Sequence, residues 1–420
     1  MQRVVLIILA IVSISTMVYS QTSNFIPSLM TFRPAVKDMR AKALGSCEIL
    51  YSNPINAGIS NPAKLTGCKP GFTFSFGHGR EGGNESVNLK GPFNSLHYLL
   101  TIFSTVNRDS PSQINFFSAA YVRNLNKQFD KVGYGVSYHR INNSIINTKM
   151  HLFKLGTSDD DYYVDFVQRI KGSLDVFSPT VAVQKGIFSL GFTYNILVPQ
   201  MDYEIMYVET LDADAGEVSG DLHAKRYSET SRPGGGNFVI GMKYQDETLR
   251  IGAIYRSKME INYKSISQST NLSSIHSTGS TLNAMPATYG IGFSLNASKY
   301  FRFGGEFQKR LYSQVIDNMS DGNVNRFGME IGATEGFAFR MGCFNEEILI
   351  ENAFSNDPEH YSGLSLGLAF KIGLVKLDFG LELGSCNYTT EYYSDYEDKT
   401  YLLENGNFLV SAGTTVSIGF

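Results

Sequence analysis

Tryptophan is missing from the sequence altogether, and proline is scarce, at 12 of 420 residues. Charge is thin as well. Charged residues make up 18%, below the roughly 25% usual for soluble domains. The formal net charge is −3. That is not basic enough for a nucleic-acid binder and not acidic enough for a charged interaction tail. Past the first residues, no apolar run approaches the roughly 18 residues of a membrane-crossing helix, so helical spans are excluded. A polar tail is missing too. The last residues, "FLVSAGTTVSIGF", alternate up to Phe420, where soluble chains usually end in frayed polar residues.

What is present is aromatic and small. The chain holds 24 Tyr, 29 Phe and 40 Gly, which suits an all-β protein with many small-residue positions. Its first 20 residues read as an export signal. Arg3 supplies the positive end, and "VVLIILAIV" at residues 4–12 is an apolar stretch too short to span a bilayer. Cleavage is expected after Ser20, with Val18 at the −3 position and Gln21 as the mature start. No cysteine lies near that point, which argues against a lipid anchor.

Four cysteines, Cys47, Cys68, Cys343 and Cys386, remain in an exported chain and allow three connectivities. Cys47–Cys68 would close a local loop and Cys343–Cys386 would tie two later segments; free thiols are the alternative. No Cys/His spacing points to a metal, and no cofactor motif is found. The seven histidines stand in no nucleophile context, so an enzyme is not expected. The acidic runs "DADAGEVSGD" and "SDYED" lack the spacing of a calcium loop, and "RPGGG" lacks the Lys-Ser/Thr of a phosphate loop. All three read as solvated loops.

Residues 21–70 show little period-2 alternation. They read as a separate N-terminal element of coil and short turns, with Asn-Pro at Asn53-Pro54 and Asn61-Pro62. From Phe72 the period becomes two. In "FSLGFTYNI", Phe188, Leu190, Phe192, Tyr194 and Ile196 oppose Ser189, Gly191, Thr193 and Asn195. In "YSGLSLGLAFKI", Leu364, Leu366, Leu368, Phe370 and Ile372 oppose Gly363, Ser365, Gly367, Ala369 and Lys371. The charges Arg302, Glu306, Glu330, Arg340, Lys243 and Arg250 all fall opposite the apolar stripe.

A sandwich also alternates, so connection lengths decide. Read from the C-terminus, long polar loops at about 384–407, 344–360, 308–324, 265–287 and 199–235 alternate with tight turns near 373, 334, 297, 246 and 186. All long loops then lie at one end and all tight turns at the other, as in outer-membrane barrels. Segments of roughly 8–12 residues match the ~9–11 needed to cross hydrocarbon at a tilt. Aromatics such as Tyr138, Tyr194, Tyr244, Tyr255 and Phe370 recur near segment ends and suit interfacial girdles. The expectation is a closed transmembrane antiparallel β-barrel over residues 71–420, from about 14 to 16 candidate strands. On the inward phase of neighbouring strands, Glu330 and Arg340 are a candidate lumen ion pair.

The segment "FRPAVKDMRAKALGSCEILYSNPINAGISNPAKLTG" resembles the plug entry of the FadL/TodX superfamily of outer-membrane hydrophobic-compound channels, nearest its PorV/PorQ branch. The matching positions are Asp38, Arg40, Ala43-Leu44-Gly45 and Asn61-Pro62-Ala63-Lys64-Leu65; Lys64 stands where the family usually has Gly. "SPTVAVQKGIFSLGFTYN", "MPATYGIGFSL" and "NRFGMEIGATEGFAFRMGCF" are similar to its later hairpins, so the resemblance covers most of the mature chain. It implies a 14-stranded barrel with an N-terminal hatch inside, a hydrophobic small-molecule ligand and release past the hatch. Its PorV/PorQ branch implies an alternative, an accessory role in type IX protein secretion. Asn61, Pro62 and Ala63 are the hatch and gating residues it suggests; Pro62 fixes its own φ and holds Asn61 extended. The ending Val416, Ile418, Phe420 resembles the recognition signal of the outer-membrane assembly machinery. Expected partners are therefore ligand, outer-membrane lipid and assembly machinery, with no nucleic acid, for a monomeric barrel in the outer membrane of a diderm bacterium.

Overall fold

A computed structural model describes residues 38–90, 116–125, 129–154, 161–212, 225–231, 235–260, 267–269, 284–316, 318–332, 336–348, 358–394 and 399–419. The export signal, most of the two acidic runs, Arg232 to Gly234 and Phe420 lie outside them.

In chain order the strands are β1 (Gly71–Lys90), β2 (Phe116–Asn124), β3 (Lys131–Lys154), β4 (Asp161–Lys185), β5 (Phe188–Asp212), β6 (Lys225–Ser231), β7 (Gly236–Gln245), β8 (Leu249–Arg256) and β9 (Met259–Glu260). They continue with β10 (Ser267–Ser269), β11 (Ala284–Met285), β12 (Thr288–Asn296), β13 (Phe301–Arg310), β14 (Gly322–Ile331), β15 (Phe337–Ile348), β16 (Glu359–Ile372), β17 (Val375–Ser394) and β18 (Lys399–Gly419). Antiparallel pairing runs β5-β4-β3-β2-β1-β18-β17-β16-β15-β14-β13-β12-β8-β7, and β7 pairs back onto β5. The sheet therefore closes on itself as a 14-stranded barrel. Closure removes the edges whose unpaired N–H and C=O groups a bilayer would not tolerate. β6 and β10 continue one rim of the sheet, and β9 pairs with β11 in a separate ribbon.

Period-2 alternation sorts side chains between lipid and lumen. Phe188, Leu190, Phe192, Tyr194 and Ile196 are exposed on the outer face, while Ser189, Thr193 and Asn195 are buried on the inner one. Aromatic pairs ring the short-turn rim: Phe72–Tyr121 with centroids 4.8 Å apart, Phe188–Tyr244 at 5.4 Å and Phe337–Phe370 at 5.3 Å. Such a girdle fits a membrane–water interface. Tight connections at Gly186-Ile187, Asp246 to Thr248, Ala297 to Tyr300 and Gly373-Leu374 all fall at this end.

Two expected long loops are corrected. Residues 384–407 are mostly strand, with β17 and β18 paired as far as Ser394↔Lys399. The start of 199–235 is strand too, with β4 and β5 paired as far as Asp161↔Asp212. These strands run 20 to 25 residues, against 8 to 14 in β12 to β16 and in β7 and β8. About ten suffice to cross the membrane, so the remainder stands past the long-loop rim as paired ribbon. Such ribbons satisfy their own backbone in water and need no apolar face.

Candidate functional site

The lumen is occupied by residues 38–70, most of them buried. Asp38 caps the short helix α1 (Met39–Lys42): its Oδ1 accepts from the N–H groups of Arg40 and Ala41 at 2.9 and 3.1 Å. Its Oδ2 accepts from Asn53 N–H and Asn56 Nδ2, both at 2.7 Å. One carboxylate thus ties the start of the hatch to its middle. Both Asn-Pro dipeptides open 3₁₀ turns, Pro54–Asn56 and Pro62–Gly67, with proline where a missing N–H costs least. Asn61 Oδ1 caps the second turn by accepting from Ala63 N–H at 3.0 Å.

The first half of this hatch binds a charged wall. Glu306, Arg326, Glu346 and Arg310 form one buried network on β13 to β15: Arg326 reaches Glu306 and Glu346 at 2.9 Å each, and Arg310 reaches Glu346 at 3.0 Å. A second network lies nearer the short-turn rim. Glu330 and Arg340 face each other across β14 and β15 and meet at 2.6 Å. Arg340 also holds Asp378 at 2.7 Å, Lys376 holds Asp378 at 3.0 Å, and Arg302 lies 3.5 Å from Glu330. The hatch joins both networks. Arg40 donates to Glu330 at 3.0 Å, and Ile49 N–H donates to Glu306 at 2.6 Å. Ser46 donates to Glu382 at 2.5 Å, Gly45 N–H to Ser365 at 2.8 Å and Asn53 to Ser417 at 2.7 Å.

Its second half lies on a neutral wall of β3, β4, β5 and β7. The polar contacts here are hydroxyls and amides: Ser118 to Ser137 at 3.0 Å, Thr180 to Thr193 at 2.8 Å, and a relay from Ser178 to Asn195 at 2.6 Å and from Asn195 to Asn237 at 2.7 Å. Asn61, Pro62 and Ala63 press on this wall where Gly191 and Gly241 face each other across β5 and β7. A Cβ at Gly191 would sit 2.3 Å from the Pro62 carbonyl carbon, and one at Gly241 would sit 2.0 Å from Asn61 Oδ1. Only glycine permits this approach. Asn61 Nδ2 donates to the Met242 carbonyl at 3.1 Å, and Thr66 to Ser189 at 3.1 Å.

The neutral wall also has a fault. The β4–β5 ladder runs to Phe177↔Ile196 and resumes at Thr180↔Thr193, skipping Ser178 and Pro179. Proline has no N–H to give. The Ser178–Asn195–Asn237 relay bridges the gap from the lumen side.

Two hatch groups carry shifted titration. Burial pushes the Glu48 carboxyl up to about 7, and burial pulls the Lys64 ammonium down to about 7. Lys64 Nζ donates to the carbonyls of Glu48 and Ser52, cross-linking the hatch internally.

All four cysteines are free thiols, which corrects the expectation of disulfides. Cys47 packs with Leu44 and Tyr51, whereas Cys68 packs with Ile55, Leu65 and Val122. Cys343 is exposed on the outer face of β15 while Cys386 is buried on β17, with β16 between them. Strands two apart stand roughly 9–10 Å from each other, too far for a disulfide. Val416 and Ile418 lie on β18 in register with Phe76 and Phe74 of β1.

Sequence reasoning named Arg40 only as a motif position and missed its bond to Glu330, as it missed Arg326, Glu346, Asp378 and the Gly191–Gly241 seat. The seat had a signal: "SLGFTY" and "VIGMKY" each place glycine on the inner phase. The partners of the ion pairs had only their phase.

No protein-family model and no curated protein matches the sequence. Solved structures do match. The CymD monoaromatic hydrocarbon channel is 14% identical, with a TM-score of 0.56 over 93% of this chain and 99% of that one. The Ralstonia pickettii toluene transporter TbuX is 16% identical, with a TM-score of 0.57 over 91% and 98%. The Pseudomonas putida toluene transporter TodX is 11% identical, with a TM-score of 0.57 over 96% and 100%. At these identities the likeness is one of fold: the chain shares the barrel of the FadL/TodX-type channels over nearly its whole length.

Proposed function

We propose that the chain is an outer-membrane channel for passive uptake of hydrophobic small molecules, long-chain fatty-acid-like, captured by the barrel and released past the hatch. It acts by binding and passage, without covalent chemistry. The observation that carries this reading is the hatch itself. It fills the bore against a ring of wall contacts, so an open aqueous pore is not what the barrel offers. An apolar solute has less need of one, because its exit can lead sideways into lipid.

The neutral wall is where that exit is best placed. Here the β4–β5 ladder lacks backbone pairs at Ser178 and Pro179, and the hatch touches the wall through Asn61, Pro62 and Ala63. Gly58 lies over the gap itself, where a Cβ would stand 3.3 Å from the Ser178 carbonyl, so a shift of the hatch that carries Gly58 along with those three residues uncovers its inner side. The fold neighbours that carry toluene and other monoaromatic hydrocarbons favour the same class of solute. In this placement the short turns face the periplasm and the long ribbons face outward.

Purified protein in liposomes, supplied with a long-chain fatty acid, tests the proposal. Uptake above that of an unrelated barrel is expected; uptake equal to it would sink the idea.

A further inference from the structure

Charge pairing on the inner face is uneven at the short-turn end. Lys131 of β3 lies in register with Gln184 of β4, Gln184 with Ser189 of β5, and Ser189 with Lys243 of β7. These four form one inner row, about 14 Å from lysine to lysine at ~4.8 Å per strand. Arg250 of β8 faces Gln245, two residues from Lys243 on the same face. That diagonal spacing is about 7–8 Å. Lys243 feels the like charges of both Arg250 and Lys131.

Among the described residues none of the three side chains has a hydrogen bond or ion pair, and the Arg250 Nε is buried without a partner. Lys243 is only 8% exposed. Its Nζ lies against the end of the hatch, 3.8 Å from where a Cβ of Gly67 would stand. Of the carboxylates at hand, Glu247 stands exposed in the turn, and the others are held elsewhere. Asp130 accepts from Gly186 N–H at 2.6 Å. Asp246 accepts from Thr248 and Leu249 N–H at 2.8 and 2.6 Å and from the Tyr244 hydroxyl at 2.8 Å. Glu330 is held by Arg40, Arg340 and Arg302 at 3.0, 2.6 and 3.5 Å.

Lys243 is buried and Lys131 and Arg250 are half-buried, and unlike the ion-pair networks described above this cluster lacks counter-ions. Clustered cations without partners oppose their own burial. An anion arriving from outside relieves both the repulsion and the unmet donors. We propose that Lys131, Lys243 and Arg250 form a receiving site for the carboxylate head of an amphiphilic ligand, on the short-turn side of the hatch. Gln184 and Ser189, between the lysines, add neutral hydrogen-bonding groups. Gly67 beside the site is exposed, so the head group reaches buried Lys243 from the open short-turn end. The site deepens the channel reading and rests on it for the route by which the ligand arrives.

The test uses the full chain in nonionic detergent at pH 8, with dodecanoate, dodecanol and propionate as probes in equilibrium binding. Dodecanoate is expected to bind about tenfold more tightly than dodecanol, the worth of roughly one charge-assisted contact. Lys243→Gln and Arg250→Gln should each cut that preference several-fold, and the double variant should abolish it. Lys131→Gln replaces either variant if it does not assemble, as judged by heat-modifiable migration. Equal affinity for dodecanoate and dodecanol in the unaltered protein overturns the proposal. So does a preference that survives in a folded double variant. Propionate displacing dodecanoate at equal concentration overturns the head-group assignment in favour of free carboxylates. Liposome uptake of dodecanol scores the channel separately: no uptake alongside an intact head-group preference sinks the channel and leaves the site standing.

Discussion

The two walls that grip the hatch are built on different physics. From β13 to β17 the inner face is ionic, with Arg326 shared between Glu306 and Glu346 and Arg340 shared between Glu330 and Asp378. From β3 to β7, apart from the lysines at its short-turn end, it is made of hydroxyls, amides and glycines, and one ladder is interrupted at Pro179. Buried ion pairs resist any change that strands one partner, because the remaining charge keeps its desolvation cost. Neutral hydrogen bonds are worth about 1 kcal/mol each and exchange readily for others. The ionic wall is thus suited to hold and the neutral wall to yield. The hatch is fastened to the first by an ion pair and several hydrogen bonds to carboxylates, and held to the second by neutral hydrogen bonds from Asn61 and Thr66.

The sharpest way to break this contrast is Arg326→Met. It leaves Glu306 and Glu346 without their shared partner and should cost about 3–5 kcal/mol, measured by urea unfolding of the refolded barrel. Next is the seat. Gly191→Ala or Gly241→Ala drives a Cβ into Pro62 or Asn61. A loss of about 1–3 kcal/mol is expected, together with increased single-channel leak. Gly292→Ala, whose Cβ would meet Ile49 at 3.3 Å and the Gly305 carbonyl at 3.5 Å, serves as the milder control. Asn195→Ala removes the relay across the ladder gap; about 1 kcal/mol of stability should go, while fatty-acid uptake rises. Pro179→Thr restores a donor at the gap. Slower uptake is expected, with stability changed by less than about 1 kcal/mol, and unchanged uptake would show that the gap is not the exit.

The smallest effects are those of pH, and they have opposite signs on the two sides. The Glu48 carboxyl, which feels Arg326 and Glu306 of the ionic wall, titrates near 7 folded against an ordinary value of 4.5. The folded state then binds more protons, so that side loses stability as pH rises from about 4.5 to 7. Lys64, lowered by burial and standing among Asp38, Arg40, Glu306 and Lys243, titrates near 7 folded against 10.5. The unfolded state binds more protons there, so that side gains stability as pH rises from about 7 to 10.5. Hydrogen exchange corrected for intrinsic rates should show amides near Glu48 loosening in the lower window and those near Lys64 tightening in the upper.

The barrel was legible because lipid enforces a strict period. Over residues 188–198 of β5 and 364–372 of β16 every second residue is apolar, and five tight turns share one end. The ribbon parts of β17 and β18 were read as loop because water on both faces relaxes that period. The Asn61-Pro62-Ala63 turn could be named, but its seat could not, because Gly191 and Gly241 become partners only once β5 and β7 close the barrel. The Glu330–Arg340 pair was visible because a hairpin joins its strands through a short turn. Arg40, 290 residues from Glu330, had no such signal. The unmatched cations Lys131, Lys243 and Arg250 were hidden for the same reason: a missing counter-ion is a property of the assembled lumen.

The last hatch turn ends at Gly67 and β1 begins at Gly71, so a leash of a few residues joins plug to wall. Fully stretched, it allows that turn to travel roughly 14 Å at most. The bore can never be cleared by expelling this part of the hatch. If the proposed channel role holds, passage runs around a moored obstacle, and the mooring itself selects against any cargo large enough to need the whole opening.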